Sequence, residues 1–209
     1  MPRTSSPAPA PVPTHADDRS THLHRQLVGW SGLLLAPLLW LLAGLRPVPT
    51  TPTWATLDSI SCYYHSGGVA AFVGIICALS GFLLTYRGYG NTKQWLDLIA
   101  AWVAALAALG VVLLPCTPTN GFAPPAWWKP WMGTGHNLCA TVLFCSFAFF
   151  SLYLFTRGSG TDPGSKRRRR IYTGCGAVIV IALGWAWNEG HHDRSIFLPE
   201  TVALVVPFL

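Results

Sequence analysis

Five long apolar blocks dominate the chain, and short polar segments separate them. They run approximately over 28–45, 69–86, 95–115, 134–155 and 171–187, each 17 to 22 residues long. Their apolar residues are continuous rather than alternating, which predicts buried or lipid-facing helices and not half-buried strands. At a rise of about 1.5 Å per residue, such helices reach roughly 25–33 Å, the thickness of a bilayer's hydrocarbon core. A sixth block covers 199–209, and its eleven residues reach only about 16 Å. It ends in mid-hydrophobe, so the expectation is a span cut short in this sequence. A half-helix buried against the others is the alternative. The predicted fold is all-α: a polytopic transmembrane helical bundle of five full spans plus a short or truncated sixth.

Residues 1–26 break this pattern. The opening MPRTSSPAPAPVPT places Pro at nearly alternate positions, which blocks helix and offers nothing to bury. This segment is expected to be a disordered tail ahead of a bundle covering 27–209. The first apolar block is longer than a signal peptide's apolar run and holds Trp30, Pro37 and Trp40. It reads as a retained span, kinked at Pro37.

Composition strengthens the membrane reading. Of 209 residues, 51% are apolar and only 11% are charged, against roughly 25% charged in soluble domains. The mean hydropathy is +0.39. Charge then sets orientation. With the N-terminus inside, eleven of the fourteen Lys and Arg residues lie in cytoplasmic segments and three outside, Arg46, Lys129 and Arg194. That asymmetry predicts a cytoplasmic N-terminus in a multi-pass cell-membrane protein, the inner membrane if the cell is a bacterium. Trp54, Trp127, Trp128, Trp131, Trp185 and Trp187 cluster near outer span ends, where an amphipathic ring prefers the interface. The run Lys166–Arg170 abuts the fifth block on the inner side. It anchors topology and attracts anionic lipid, at about 1 kcal/mol per basic residue. No basic domain surrounds it, so nucleic acid is not an expected partner.

The third block carries Ala100, Ala101, Ala104, Ala105, Ala107, Ala108 and Gly110. Small residues let backbones approach closely, which predicts a central packed helix.

Reactive side chains gather on the predicted outer side. In DSISCYYHSGG, a helix would put Asp58, Ser61, Cys62 and His65 on one face. His136 enters the fourth block, NEGHHD follows the fifth, and Glu200 opens the sixth. Neutral imidazoles and carboxylates are ordinary zinc ligands. His65, His136, His191 or His192, with Asp193, could hold a catalytic Zn²⁺, while Asp58, Ser59, Ser61 or Glu200 served as base or water-orienting group. No HExxH or close metal spacing accompanies them, and the plainer reading is of wet loop residues and helix-end hydrogen bonders. His136 stands out because an ionisable group inside an apolar block usually has a specific role. Its plain alternative is a neutral ring satisfied by a carbonyl or by Tyr63. Cys62 and Cys116 both lie at outer helix ends, where a disulfide between them is plausible in an oxidising compartment. Cys77, Cys145 and Cys175 read as buried apolar thiols.

Four stretches together resemble a family of bacterial six-span membrane proteins classed as a domain of unknown function. These are SISCYYHSGG leading into FVGIICALSGFLLTYRGY, the LLP ending the third block, GHNLCATVLFCSFAFFSLYLF, and RIYTGCGAVIVIAL followed by Glu200. The resemblance covers roughly 28–209. It implies a membrane helical bundle and recurring polar positions at Ser59, Ser61, Tyr64, His136 and Glu200; it implies no activity. Zinc-dependent membrane hydrolases of the alkaline ceramidase and adiponectin-receptor type are similar only by analogy, since this chain lacks their HxxxH pair.

The leading functional expectation is a non-enzymatic membrane protein with a lipid- or ligand-binding polar cluster at its extracytoplasmic face. A zinc-dependent hydrolase of a lipid amide or ester is the first alternative. A small transporter or channel, working as a homo-oligomer, is the second.

Overall fold

The computed structural model describes residues 15–48, 54–86, 94–119, 121–157, 163–192 and 194–206. Most of these residues are helical, and no strand occurs among them. Six α-helices follow in order: α1 (His15–Leu45), α2 (Val69–Leu84), α3 (Gln94–Leu113), α4 (Pro130–Phe149), α5 (Pro163–His191) and α6 (Phe197–Val205). A short 3-10 turn, Ile60–His65, lies between α1 and α2. Among the described residues, three helical stretches are long and apolar enough to cross a membrane: Trp95–Leu113, Pro130–Arg157 and Gly164–His191. Gly29–Leu45 and Val69–Leu84 are shorter apolar helices.

Helix boundaries follow local chemistry. Residues 15–26, expected in the tail, belong to α1. The Pro-rich pattern stops at Pro13, and nothing in HADDRSTHLHRQ forbids a helix. Residues 1–14 lie outside the described residues. α3 ends at Leu113 because Pro115 cannot continue it. α4 begins with Pro130 in its first turn, where the missing N–H costs nothing. Its far end widens into a π-helical turn, Phe150–Leu154, then tightens through Phe155–Arg157. That end places Arg157 against Asp97 of α3 at 3.2 Å, with the guanidinium 4.4 Å over the Tyr153 ring. α5 is longer than its apolar block and continues to His191, so Asn188, Glu189 and His191 are helical rather than looped.

α3 is the central helix, packed between α2 and α4. Ala101, Ala104, Ala105 and Ala108 are fully buried, at positions i, i+3, i+4 and i+7 of one stripe. On the opposite stripe Trp102, Leu106 and Leu113 are exposed. Such an inverted surface, small inside and large apolar outside, is what helix association in lipid requires. Ser80 of α2 donates to the Ala105 carbonyl at 2.9 Å, joining the two helices. On the other side Gly110 receives α4: a β-carbon there would lie 2.4 Å from Cys139 Sγ. Cys77 and Cys145, expected to be buried, are exposed. In an apolar helix both faces are hydrophobic, so a thiol's burial cannot be read from its neighbours.

Trp54 adopts φ of 66°, the left-handed region that a bulky residue enters only under constraint. Its ring covers Gly44, where any β-carbon would collide with it, and tilts against Trp40 at 5.1 Å. The Trp40 indole N–H donates to the Trp54 carbonyl at 3.0 Å.

Filling the Gly110 contact should separate α3 from α4. Gly110→Leu is expected to lower detergent-state stability by about 1–3 kcal/mol, the usual cost of overpacking. The milder Gly110→Ala should be partly rescued by Cys139→Ala, because the obstructing atom is that sulfur. Thermal melts of the four proteins check this; equal melting of Gly110→Ala with and without Cys139→Ala would refute the contact.

Candidate functional site

The site is built around the 3-10 turn at Ile60–His65. Six residues are too few to bury their own polar groups, so the turn is held from outside. Ser59 is extended (φ −150°, ψ 155°), and its Oγ accepts the Ser61 N–H at 2.9 Å. Glu200, in the first turn of α6, accepts the Ile60 N–H through Oε2 at 2.7 Å. A carboxylate at the positive end of a short helical turn is favourable on dipole grounds as well as by the hydrogen bond. Asp58 contributes its main-chain carbonyl, which accepts the Ile196 N–H at 2.7 Å and the Ser195 hydroxyl at 3.1 Å. The turn is thus tied to the start of α6 at two points.

Its other side faces the end of α3 and the start of α4. His136 is buried at 1% exposure. Its Nδ1 lies 2.7 Å from the Leu114 carbonyl and its Nε2 2.8 Å from Ser61 Oγ. A carbonyl only accepts, so Nδ1 carries the proton. In the neutral ring Nε2 then accepts from the Ser61 hydroxyl. This is the order found where an imidazole activates a serine: nucleophile, base, then a group fixing the base's tautomer. The orienting group here is a backbone carbonyl.

Next to this pair sit Cys62 and Cys116, which are free thiols rather than the disulfide the sequence made plausible. Cys62 Sγ is 3.1 Å from Thr119 Oγ1, and Cys116 donates to the Ser61 carbonyl at 3.1 Å. A hydrogen bond from Cys116 holds the Cys62 thiol down at about 7, against the opposing effect of burial. The Cys116 thiol is pushed up, first by the Cys62 sulfur it would stabilise and then by burial. Its single S–H serves the Ser61 carbonyl while Cys62 is protonated and is available to the Cys62 thiolate otherwise. His65 Nε2 donates to the Cys116 carbonyl at 3.0 Å. Tyr63 is fully buried, stacked against Phe197 at 6.0 Å, and its hydroxyl has no hydrogen-bond partner. Burial raises the Tyr63 and Tyr64 phenols above their ordinary range. Tyr64 packs edge-on against His65 and Phe72.

Ser59, Ser61, His136 and Glu200 therefore come together, with Cys62, Cys116 and His65 beside them. The expected single face of Asp58, Ser61, Cys62 and His65 does not form, because the segment is a 3-10 turn with Asp58 outside it. The expected zinc ligands are not assembled. His136 and His65 each spend nitrogen atoms on carbonyls, while His191 caps its own helix at the Trp187 carbonyl, 2.9 Å away, and is exposed. His192 is exposed on the turn after α5, and Asp193 lies outside the described residues. Among the described residues no three His, Cys, Asp or Glu side chains are placed to share a metal ion. Sequence reading also missed the Leu114 carbonyl and Thr119. A backbone acceptor carries no residue signature, and Thr119 stands in a proline-rich loop. The LLPC sequence ending α3 was the available hint, since a helix stopped by proline exposes its last carbonyls.

No family model matches this chain, and neither the curated proteins nor the solved structures include a match.

Removing either partner of the His136 pair should expose the cost of a buried unsatisfied group, about 1–3 kcal/mol. His136→Phe is expected to melt earlier than Ser61→Ala, because it orphans both Leu114 O and the Ser61 hydroxyl. Glu200→Ala should cost more than Glu200→Gln, whose amide oxygen can still accept from Ile60. Melting curves of detergent-solubilised variants measure both orders, and a reversal of either would contradict the assigned partners.

Proposed function

We propose that this chain is a multi-pass integral membrane protein of a bacterial cytoplasmic membrane. In this reading its six helices lie with the N-terminus inside, and its working part is the polar cluster at the outer end of the bundle, which binds a small polar ligand or a lipid headgroup. The observation that carries the reading is the convergence of Ser59, Ser61, His136 and Glu200 from three separate segments onto one 3-10 turn. The resemblance to six-span bacterial membrane proteins, and the exposed apolar faces of α3 and α5, support the membrane setting. The placement of basic residues supports the sidedness. Lys166–Arg170 are exposed in the first turns of α5, at the positive end of its dipole, an unfavourable place for cations unless anions stand nearby. Anionic headgroups of the inner leaflet supply such anions. A transport role gains less support. The mid-bundle hydroxyls of Ser80 and Ser146 are each spent on a backbone carbonyl.

A second reading is favoured by one specific contact, the 2.8 Å Ser61–His136 bond. It is a hydrolase of a lipid ester or amide that uses Ser61 as nucleophile and His136 as base, in place of zinc. Both readings predict a tightly defined site, and they separate by reactivity.

Three measurements follow. Alkaline phosphatase and fluorescent-protein fusions near residues 120 and 160 should report outside and inside respectively; the reverse pattern would overturn the orientation. Protein purified in mild detergent should retain a specific outer-leaflet lipid or polar ligand, detected by mass spectrometry. Ser61→Leu should reduce that retention about tenfold, roughly 1.4 kcal/mol. Retention unchanged in the variant would move the ligand away from this cluster. Labelling of Ser61 by a fluorophosphonate, abolished in His136→Gln, would select the hydrolase over the binding protein.

A further inference from the structure

Outside the Ser61–His136 pair, the cluster holds two nucleophilic side chains that neither reading uses. Cys62 and Cys116 are separated by more than fifty residues of sequence, yet the Cys116 thiol donates to the carbonyl of Ser61, the peptide that leads directly into Cys62. Each sulfur is held in place by a second group, Cys62 by the Thr119 hydroxyl and Cys116 by the Ser61 carbonyl, both at 3.1 Å. They lie outside the apolar stretches of α2 and α3, in loops that the proposed orientation puts in the outer compartment. The other four cysteines stand apart from this junction: Cys77 and Cys145 are exposed on helix faces, Cys139 is packed against Gly110, and Cys175 is half-buried on α5.

We propose that Cys62 and Cys116 are a redox pair, closed to a disulfide by thiol–disulfide exchange with a disulfide-bearing oxidant of the outer compartment. The Cys62 thiolate attacks one sulfur of the incoming disulfide, forming a mixed disulfide and releasing the other half as a thiol. Cys116 then loses its proton and attacks the Cys62 sulfur, releasing the second half. Two protein thiols become one disulfide, and the oxidant's disulfide becomes two thiols. The lowered Cys62 thiol suits it to the first attack. Cys116, whose proton is held more tightly, is the resolving partner. Both sulfurs are nearly buried in the folded state, so exchange takes place as the turn docks or when it lifts.

The bond would have a second effect. Closing it removes the S–H that Cys116 donates to the Ser61 carbonyl and fixes the 3-10 turn to the loop after α3. Ser61 and His136 bridge that same junction, since His136 also binds the Leu114 carbonyl. Oxidation therefore locks the polar cluster in its closed arrangement, and reduction leaves it held by hydrogen bonds alone.

The proposal rests on the outward orientation, so its test runs beside the fusion at residue 120. The full chain is expressed in its membrane, acid-quenched, alkylated with N-ethylmaleimide and digested without reductant. A cross-linked peptide joining Cys62 to Cys116, released by dithiothreitol, is the expected result. In parallel, reduced full-length protein in detergent is treated with oxidised glutathione. It should lose both free thiols at this pair, and its melting point should rise by about 5–10 °C. Cys62→Ser and Cys116→Ser should each abolish that rise. Recovery of both residues alkylated from the membrane sample overturns the proposal. If the fusion then reports outside, the pair itself has failed; if it reports inside, the orientation has failed and took the pair with it. Failure to oxidise in detergent overturns the geometry whatever the fusion reports.

Discussion

A fully buried imidazole makes two demands at one end of this bundle. Its N–H needs an acceptor and its free nitrogen needs a donor, and leaving either unmet in an apolar interior costs on the order of 1–3 kcal/mol. His136 meets the first with the Leu114 carbonyl, which is available only because Pro115 stops α3 there. It meets the second with Ser61, which is available only because the 3-10 turn is docked onto the bundle. The turn is docked in part because Glu200 holds the Ile60 amide. One side chain thus couples the end of α3, the start of α4, the turn and the start of α6. The remaining polar contacts of the site, Ser59 on Ser61 and His65 on the Cys116 carbonyl, fall within the frame it sets.

The rest of the bundle works by a different economy. In lipid there is no hydrophobic gain from burying leucine against leucine, so close approach of backbones decides which helices pair. The alanine stripe of α3 lets α2 and α4 come near, and Gly110 takes the Cys139 side chain. Large apolar side chains turn outward instead. The same division explains why the buried hydroxyls of Ser80 and Ser146 are directed at backbone carbonyls, Ala105 and Val142. At the end of the bundle, several polar side chains answer one another around His136.

This division also explains what the amino-acid sequence revealed. Continuous apolar runs and the small-residue stripe of α3 are one-dimensional signals, and they identified an all-helical chain with apolar helices and the packed role of α3. Helix ends were less visible: α1 begins at His15 and α5 continues to His191, because charged residues outside the apolar region still form helix. Within the site, Ser59, Ser61, His136 and Glu200 were recognisable as residues worth attention, but their partners were not. Three histidines on one side suggested a metal. The fold instead directs His65 and His136 to carbonyls and leaves His191 on the surface, a choice set by backbone geometry that no side-chain pattern records. The Asp97–Arg157 ion pair at the other end was equally hidden. It depends on a π-helical turn that shifts Arg157 around its helix.

Such a site also has a weakness that follows from its construction. The six-residue turn is held by Ile60, Cys62 and Tyr63 in the core and by hydrogen bonds reaching in from two sides, each worth little on its own. Loss of those hydrogen bonds is the local opening that would undo the site. Opening separates Ser61 from His136 and, at the same moment, uncovers Cys62. The groups that would react and the groups that would lock the turn are therefore exposed together and hidden together. In the proposed redox reading, a covalent link between the turn and the loop after α3 removes this opening without altering the apolar packing below, so Cys62 and Cys116 are where an outside oxidant would act on the cluster.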